Sequence, residues 1–363
     1  MKERLKKIVI ATDSFKGCLS AAEVVAAARE GVERVLPDVS VEPLPVSDGG
    51  EGMLDVFSHA LGAKRVAVAV LDPLMRPVTA HYAIAPDRTT AIIEMAQASG
   101  LTLVEPELRD AWKATTFGTG QLIADAVKRG CKRLVVGLGG SATTDGGRGM
   151  LEALGIVLRD DGGFDTRRSL LKTPVEVIVA CDVDAPLLGR RGAAQVFAPQ
   201  KGASPRMVGR LERRLAHWAD CVAAHVGRDF KSVAGAGAAG GTGFALLAFA
   251  GAEIRPGIEV LLDLTRFDDL LTDADLVITG EGGADRQTLM GKVPVGILRH
   301  AARHGVPTVL LAGRVADREA LLEAGFADVR CINPPGASLA ECLRPEVASR
   351  NIAATAACVV TFR

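Results

Sequence analysis

Ile8-Val9-Ile10-Ala11-Thr12-Asp13-Ser14-Phe15-Lys16-Gly17, followed by Ser20-Ala21-Ala22-Glu23, decides how this chain folds. The apolar run Ile8 to Ala11 is β-branched and does not alternate with polar residues, which marks a strand buried on both faces of a parallel sheet. An acid and a glycine stand where that strand ends. Ser20 and Glu23 have the spacing of a capping box, in which each side chain satisfies a backbone N–H of the other's turn. Val24, Val25, Ala28, Val32 and Val35 then recur at helical spacing, and Pro37 marks the stop. Val41 to Val46 reads as a second strand ending at Asp48. Leu54, Phe57 and Leu61 read as a second helix ending at Gly62. The result is β-α-β-α, the opening of a doubly wound sheet.

Further along, the pattern changes. Arg65 to Leu71 and Val78 to Ala85 resemble an antiparallel pair joined through Asp72-Pro73. Ala91 to Met95, Arg133 to Gly137 and Glu176 to Ala180 are further apolar runs. Gln121 to Arg129 and the stripe Val208, Leu211, Leu215, Trp218, Val222 and Val226 are helical. The last quarter returns to the opening pattern, with Leu276 to Thr279, Val309 to Ala312 and Val329 to Ile332 as strands. The expected fold is therefore α/β with two domains. Residues 1–65 with 271–363 form a flavodoxin- or Rossmann-like parallel-sheet domain built from both termini. Residues 66–270 form an inserted mixed α/β domain.

Bulk properties exclude several classes. The 363 residues suffice for two domains with substantial cores. Lys+Arg and Asp+Glu are equal at 43 each, so no net charge attracts nucleic acid or an anionic membrane. One Tyr and two Trp make a poor stacking platform for single strands. The seven Cys are scattered without any C-x-x-C, the pattern of reduced thiols in a cytoplasmic protein. The basic start is followed by an apolar run too short for a signal peptide, and no stretch reaches membrane-span length. A homodimer falls within the expectation without any sequence feature arguing for it.

Four glycine- and acid-rich segments follow β-like runs: Asp13 to Gly17, Ser47 to Gly52, Gly139 to Gly147 and Gly280 to Asp285. Glycine lets backbone N–H groups approach an anion, and carboxylates hold Mg²⁺ or accept a proton. At the carboxyl ends of strands in an open sheet they face a crevice. Asp13, Asp48, Glu51, Asp182, Glu281 and Asp285 are the acids so placed, with Lys16 and Lys292 nearby. In Gly139-Gly140-Ser141-Ala142-Thr143, hydroxyls and N–H groups can cradle phosphates and Asp145 can reach a metal, or the segment is a turn that caps a helix. Gly235 to Gly240 matches the dinucleotide fingerprint literally, but Arg228 to Ser232 before it is not a strand, as the fingerprint requires. It reads as an anion loop at a helix N-terminus or as tight loop–helix packing. Gly291-Lys292-Val293 is not a Walker A motif. His300 and His304 have zinc spacing, but Arg299 and Arg303 mark a basic last turn that complements the helix dipole.

Taken in order, these segments resemble the type I bacterial glycerate kinases. The resemblance rests on Asp13-Ser14-Phe15-Lys16-Gly17, Asp48-Gly49-Gly50-Glu51-Gly52 and Gly139 to Thr143 with Asp145-Gly146-Gly147. It extends through Ala180-Cys181-Asp182-Val183, Phe197 to Gly202, Gly235 to Gly241, and Thr279 to Gly282 with Asp285, Gln287, Gly291, Lys292 and Pro294. Arg350-Asn351-Ile352-Ala353 also matches. The resemblance implies ATP-dependent phosphorylation of D-glycerate, usually at the 2-hydroxyl, with Mg²⁺, and a site in the cleft between two α/β domains. The chain departs from the family's usual pattern at Thr12, Cys18 and Thr144, and most seriously at Gly283, where the family usually carries Arg. Arg286 or Arg314 would have to supply the missing oxyanion donor.

Phosphoryl transfer needs positioning and charge neutralisation above all. On that basis Gly139, Gly140, Ser141, Thr143, Gly237, Gly240 and Gly241 are expected to hold ATP phosphates. Lys16 and Lys292 would offset charge on the transferring group. Asp48, Glu281 and Asp285 would carry Mg²⁺. Asp182 is the first choice as base and Asp13 the second. Two other classes fit parts of the pattern: an NAD(P)-dependent oxidoreductase using Gly235 to Gly240, and a kinase-fold ligand sensor without turnover.

Overall fold

A computed structural model describes residues 5–50 and 52–361. Glu51, one of the candidate acids, lies outside the described residues. In chain order the strands are β1 (Lys7–Thr12), β2 (Ser40–Pro45), β3 (Lys64–Leu71), β4 (Pro77–Ile84), β5 (Thr90–Glu94), β6 (Arg133–Gly137), β7 (Val157–Leu158), β8 (Phe164–Asp165), β9 (Glu176–Ala180), β10 (Glu253–Arg255), β11 (Leu276–Ala284), β12 (Thr308–Val315) and β13 (Asp328–Cys331). The chain divides into two compact units, Met1–Asp48 with Ile258–Arg363, and Gly49–Gly257. The expected boundaries at 65/66 and 270/271 lie further along the chain at both crossings.

In the first unit all five strands are parallel, in the order β13-β12-β11-β1-β2. Counted within the unit this is the flavodoxin order 2-1-3-4-5, with the direction of winding reversing between β1 and β11. Ile8, Val9 and Ile10 are wholly buried at its centre, as an apolar run covered on both faces must be. The Ser20 capping box is present: its hydroxyl oxygen accepts from Glu23 N–H, and Glu23 accepts from Ser20 N–H at 2.8 Å. That starts the helix Ala21–Val35, which lays Val24, Val25, Ala28 and Val32 on the sheet beside the helix Pro345–Thr361. Gly31 sets how closely those helices approach, since a Cβ there would meet the Ala353 carbonyl oxygen at 2.0 Å. A second small core, around Leu310, Leu321 and Phe326, covers the opposite face.

The second unit has a six-stranded sheet in the order β10-β9-β6-β5-β4-β3. β5, β6, β9 and β10 are parallel; β3 and β4 are antiparallel to each other, and β4 to β5. This is the mixed sheet expected from Arg65 to Ala85. The long amphipathic helix Pro205–Val226 buries Val208, Leu211, Leu215, Trp218 and Val222 in the unit's core. Trp218 Nε1 donates to the Gly146 carbonyl at 3.0 Å, so the helix also anchors a glycine loop. Among the described residues no helix is long and apolar enough to cross a membrane.

Candidate active site

The carboxyl ends of β1, β11 and β12 open onto a pocket of about 310 Å³ in the first unit. This is the winding-reversal point, where parallel α/β sheets bind ligands. Asp13, Lys16, Asp48, Glu281, Lys292 and Arg314 line it, together with Gly282, Gly283 and Gly313. Lys16 Nζ stands 3.7 Å from Asp48 Oδ2, and Lys292 Nζ stands 3.7 Å from Glu281 Oε2. Lys16 is 79% exposed, so its ammonium is available to an incoming anion. Asp13 follows β1 directly and takes the Ser14 N–H at 2.6 Å. Burial first, and the Asp48 charge second, push its carboxyl up to about 6. Burial likewise raises Glu281, against the pull of the Thr288 hydroxyl and Lys292.

Asp285 has a different place. It caps the turn Arg286–Met290 by accepting from Gln287 N–H at 2.7 Å, and its own N–H donates to Thr288 Oγ1. Thr288 in turn donates to Glu281 Oε1 at 2.5 Å. Asp285 therefore holds the residue that holds Glu281, and it does not line the pocket. A short Asx-type turn satisfies an acid locally before any ligand is present. Among the described residues no three His, Cys or acidic side chains converge as a metal cage. Mg²⁺ does not need one, since it is commonly bound by one or two carboxylates together with water and substrate phosphates. Asp48 and Glu281, hard oxygen donors in one pocket, suit that mode.

The glycine loop after β6 lies in the second unit. The N–H groups of Gly139, Gly140 and Ser141 donate to no acceptor among the described residues. Beneath the loop, Lys201 Nζ donates to Ser141 Oγ at 2.8 Å and to the Thr143 carbonyl at 2.6 Å. Lys201 is 2% exposed, and burial pushes its ammonium down to about 7. The Thr143 and Thr144 hydroxyls are buried without a hydrogen-bond partner among the described residues. Lys201 stands within the Pro199-Gln200-Lys201-Gly202 segment, but nothing in one sequence tells a buried strut from a surface lysine.

One expectation for this region needs correction. Asp145 does not reach toward a metal: it is buried and accepts from the Thr116 N–H and hydroxyl and from the Gly147 and Gly149 N–H groups. As read from the sequence, no strand precedes Gly235 to Gly240, so it is not a dinucleotide fingerprint. Gly237, Gly240 and Gly241 serve close packing. A Cβ on Gly237 would stand 2.1 Å from the Pro186 carbonyl, one on Gly240 2.1 Å from that of Thr143, and one on Gly241 2.8 Å from Gly146 Cα. The backbone from Ala239 to Gly241 is left-handed throughout, which only glycine-rich sequence tolerates. Asp182, exposed after β9, accepts from Gly257 N–H at 2.9 Å.

The lysine–carboxylate pocket at the winding reversal suits a phosphate-bearing ligand. The sequence profile described as the glycerate kinase family matches residues 8–362. The chain is 42% identical to the glycerate 2-kinase of Escherichia coli, covering 97% of this chain and 98% of that one. It is 41% identical to a glycerate kinase of Halalkalibacterium halodurans, over 96% and 98% of the two chains. The crystal structure of a putative glycerate kinase 2 from Salmonella typhimurium LT2 superposes with a TM-score of 0.87 at 41% identity, covering 98% of each chain. This chain belongs to the glycerate kinase family.

Proposed function

We propose that this protein transfers the terminal phosphoryl group of ATP to the 2-hydroxyl of D-glycerate, giving 2-phosphoglycerate and ADP with Mg²⁺ as cofactor. The observation that carries this reading is the pocket at the winding reversal of the first sheet, where Lys16 and Lys292 each stand beside a carboxylate. The lysines stabilise the charge on the transferring group. Asp48 and Glu281 would hold Mg²⁺, which would supply neutralisation of phosphate charge. The N–H groups of Gly139, Gly140 and Ser141, which donate to no acceptor among the described residues, receive phosphate oxygens, with Lys201 keeping that loop in shape. Asp182, whose exposed carboxylate is oriented by Gly257 N–H, accepts the proton of the substrate hydroxyl.

Arg314 is the donor that compensates for Gly283. Gly283 pairs with Arg314 in the β11–β12 register, and Arg314 lines the pocket. Arg286 faces Asp317 at 3.6 Å and does not line it. The oxidoreductase alternative loses its only support with the missing strand before Gly235.

A coupled ADP-release assay with Mg-ATP and D-glycerate, with the product identified by phosphorus NMR, tests the reading. A 2-phosphoglycerate signal is expected. A 3-phosphoglycerate signal would move the acceptor to the other hydroxyl. No ADP, with a melting temperature still raised by ATP, would make the protein a ligand sensor. Asp182→Asn is expected to lower kcat by about 10²-fold or more. Near-normal turnover would pass the base role to Asp13.

A further inference from the structure

Part of the lining of the first unit's pocket is apolar and has no use in the chemistry of glycerate. Beyond the charged groups the pocket is lined by Phe15, Cys18, Ile332, Leu339, Cys342 and Leu343. Phe15 and Ile332 form a buried floor at 4% and 6% exposure. Leu339 and Leu343, at either end of the short helix Leu339–Cys342, stand 74% and 41% exposed on the rim. Apolar side chains exposed together on the lining of a concave, charged pocket fit a ligand surface. Asn333, which also lines the pocket, is held by donating to the Gly313 carbonyl at 2.8 Å and accepting from Asn351 Nδ2 at 3.1 Å.

D-Glycerate carries oxygen on each of its three carbons and has no apolar face to lay on such a shelf. A cavity of about 310 Å³ also falls in the range that buries a ligand of nucleoside size. A nucleotide has both halves of the matching chemistry, a flat apolar ring system and a polyanionic tail. We infer that the shelf formed by Phe15, Ile332, Leu339 and Leu343 binds the nucleoside of ATP, with its phosphates directed toward Lys16, Lys292 and Arg314. This deepens the kinase reading and rests on it. It places the nucleoside in the first unit and makes Leu339 and Leu343 residues that set nucleotide affinity.

Two thiols of the shelf serve as native reporters. Wild-type protein is treated with N-ethylmaleimide alone, with ATP, and with D-glycerate, and labelling at each cysteine is read by peptide mass spectrometry. Cys342 is expected to be protected by ATP and not by D-glycerate, while exposed Cys358 labels equally in all three. In parallel, Leu339→Ser and Leu343→Ser are compared with wild type. Each is expected to raise KM for ATP about tenfold, from the loss of partly buried apolar surface, with KM for D-glycerate within twofold. Inhibition by inorganic tripolyphosphate, which has no base, is expected to stay unchanged in both variants. Protection of Cys342 by D-glycerate instead of ATP would overturn the assignment. So would an unchanged KM for ATP in both variants. Absence of ADP release by the wild type would defeat the kinase reading alone, because thiol protection is read without turnover.

Discussion

At the residue scale, the pocket trades stability for chemistry. The Asp13 carboxyl rises from near 3.8 to about 6 on folding, so between those values the folded protein keeps a proton that the unfolded chain has released. Its contribution to stability is present at low pH and lost as pH rises through about 6. The full difference is roughly 3 kcal/mol, and screening of an acid that is not fully buried brings it to about 1–2 kcal/mol. Asp13→Asn is therefore expected to stabilise the protein by that amount at pH 8 and by much less at pH 4, in urea titrations with EDTA, while activity falls. Equal effects at both pH values would show that desolvation of this carboxylate is not what is being relieved. Arg314→Ala is expected to lower kcat/KM by about 10²-fold, as loss of an oxyanion donor does. Gly283→Arg in that background is expected to recover part of the loss, because no atom stands within 4 Å of a Cβ there and the two positions pair across adjacent strands.

Among the elements, the glycine loops of the second unit are each other's scaffold. Gly146 N–H donates to the Gly240 carbonyl at 2.9 Å, and Gly240 lies against Thr143 with no room for a methyl group. Gly240→Ala must both push the Thr143 carbonyl aside and hold alanine at a φ of +66°. The expected loss is about 3 kcal/mol, read as a shift of the urea midpoint by tryptophan fluorescence. A loss under about 1 kcal/mol would mean that the loops repack freely and that their glycines serve the ligand instead. The sequence shows that these segments need glycine. It does not show whether the space is kept for a phosphate or for another stretch of backbone, because both demand the same missing side chain.

For the whole molecule, each of the two units carries buried hydrophobic clusters of its own. Trp112 and Trp218 both belong to the second unit, so fluorescence follows that unit while circular dichroism follows both. Urea unfolding is expected to give different midpoints by the two probes, as multidomain chains do. Mg-ATP at a hundred times its Kd is expected to add about 2.7 kcal/mol to the transition of the unit that binds it. If the shelf assignment holds, the component seen by circular dichroism shifts with it. One coincident transition by both probes would show that the units unfold as a single cooperative body.

The sequence alone determined the elements and their class. Apolar runs, the Ser20–Glu23 capping box and stop signals such as Pro37 and Gly62 are local physics, and local physics is written in neighbouring residues. The sequence also marked Asp13, Lys16, Asp48, Glu281 and Lys292, because acids and lysines at strand ends share a rim in any doubly wound sheet. Tertiary structure decided what each polar group is free to do. Asp145 and Asp285 have the same composition-level credentials as Glu281, yet backbone N–H groups from their own surroundings already satisfy them. Lys201 became a buried strut, and Leu339 and Leu343 became the edge of a pocket, through contacts with residues far away in the chain. Spacing in sequence carries no record of such contacts, and burial and partner geometry are properties of the packed chain alone.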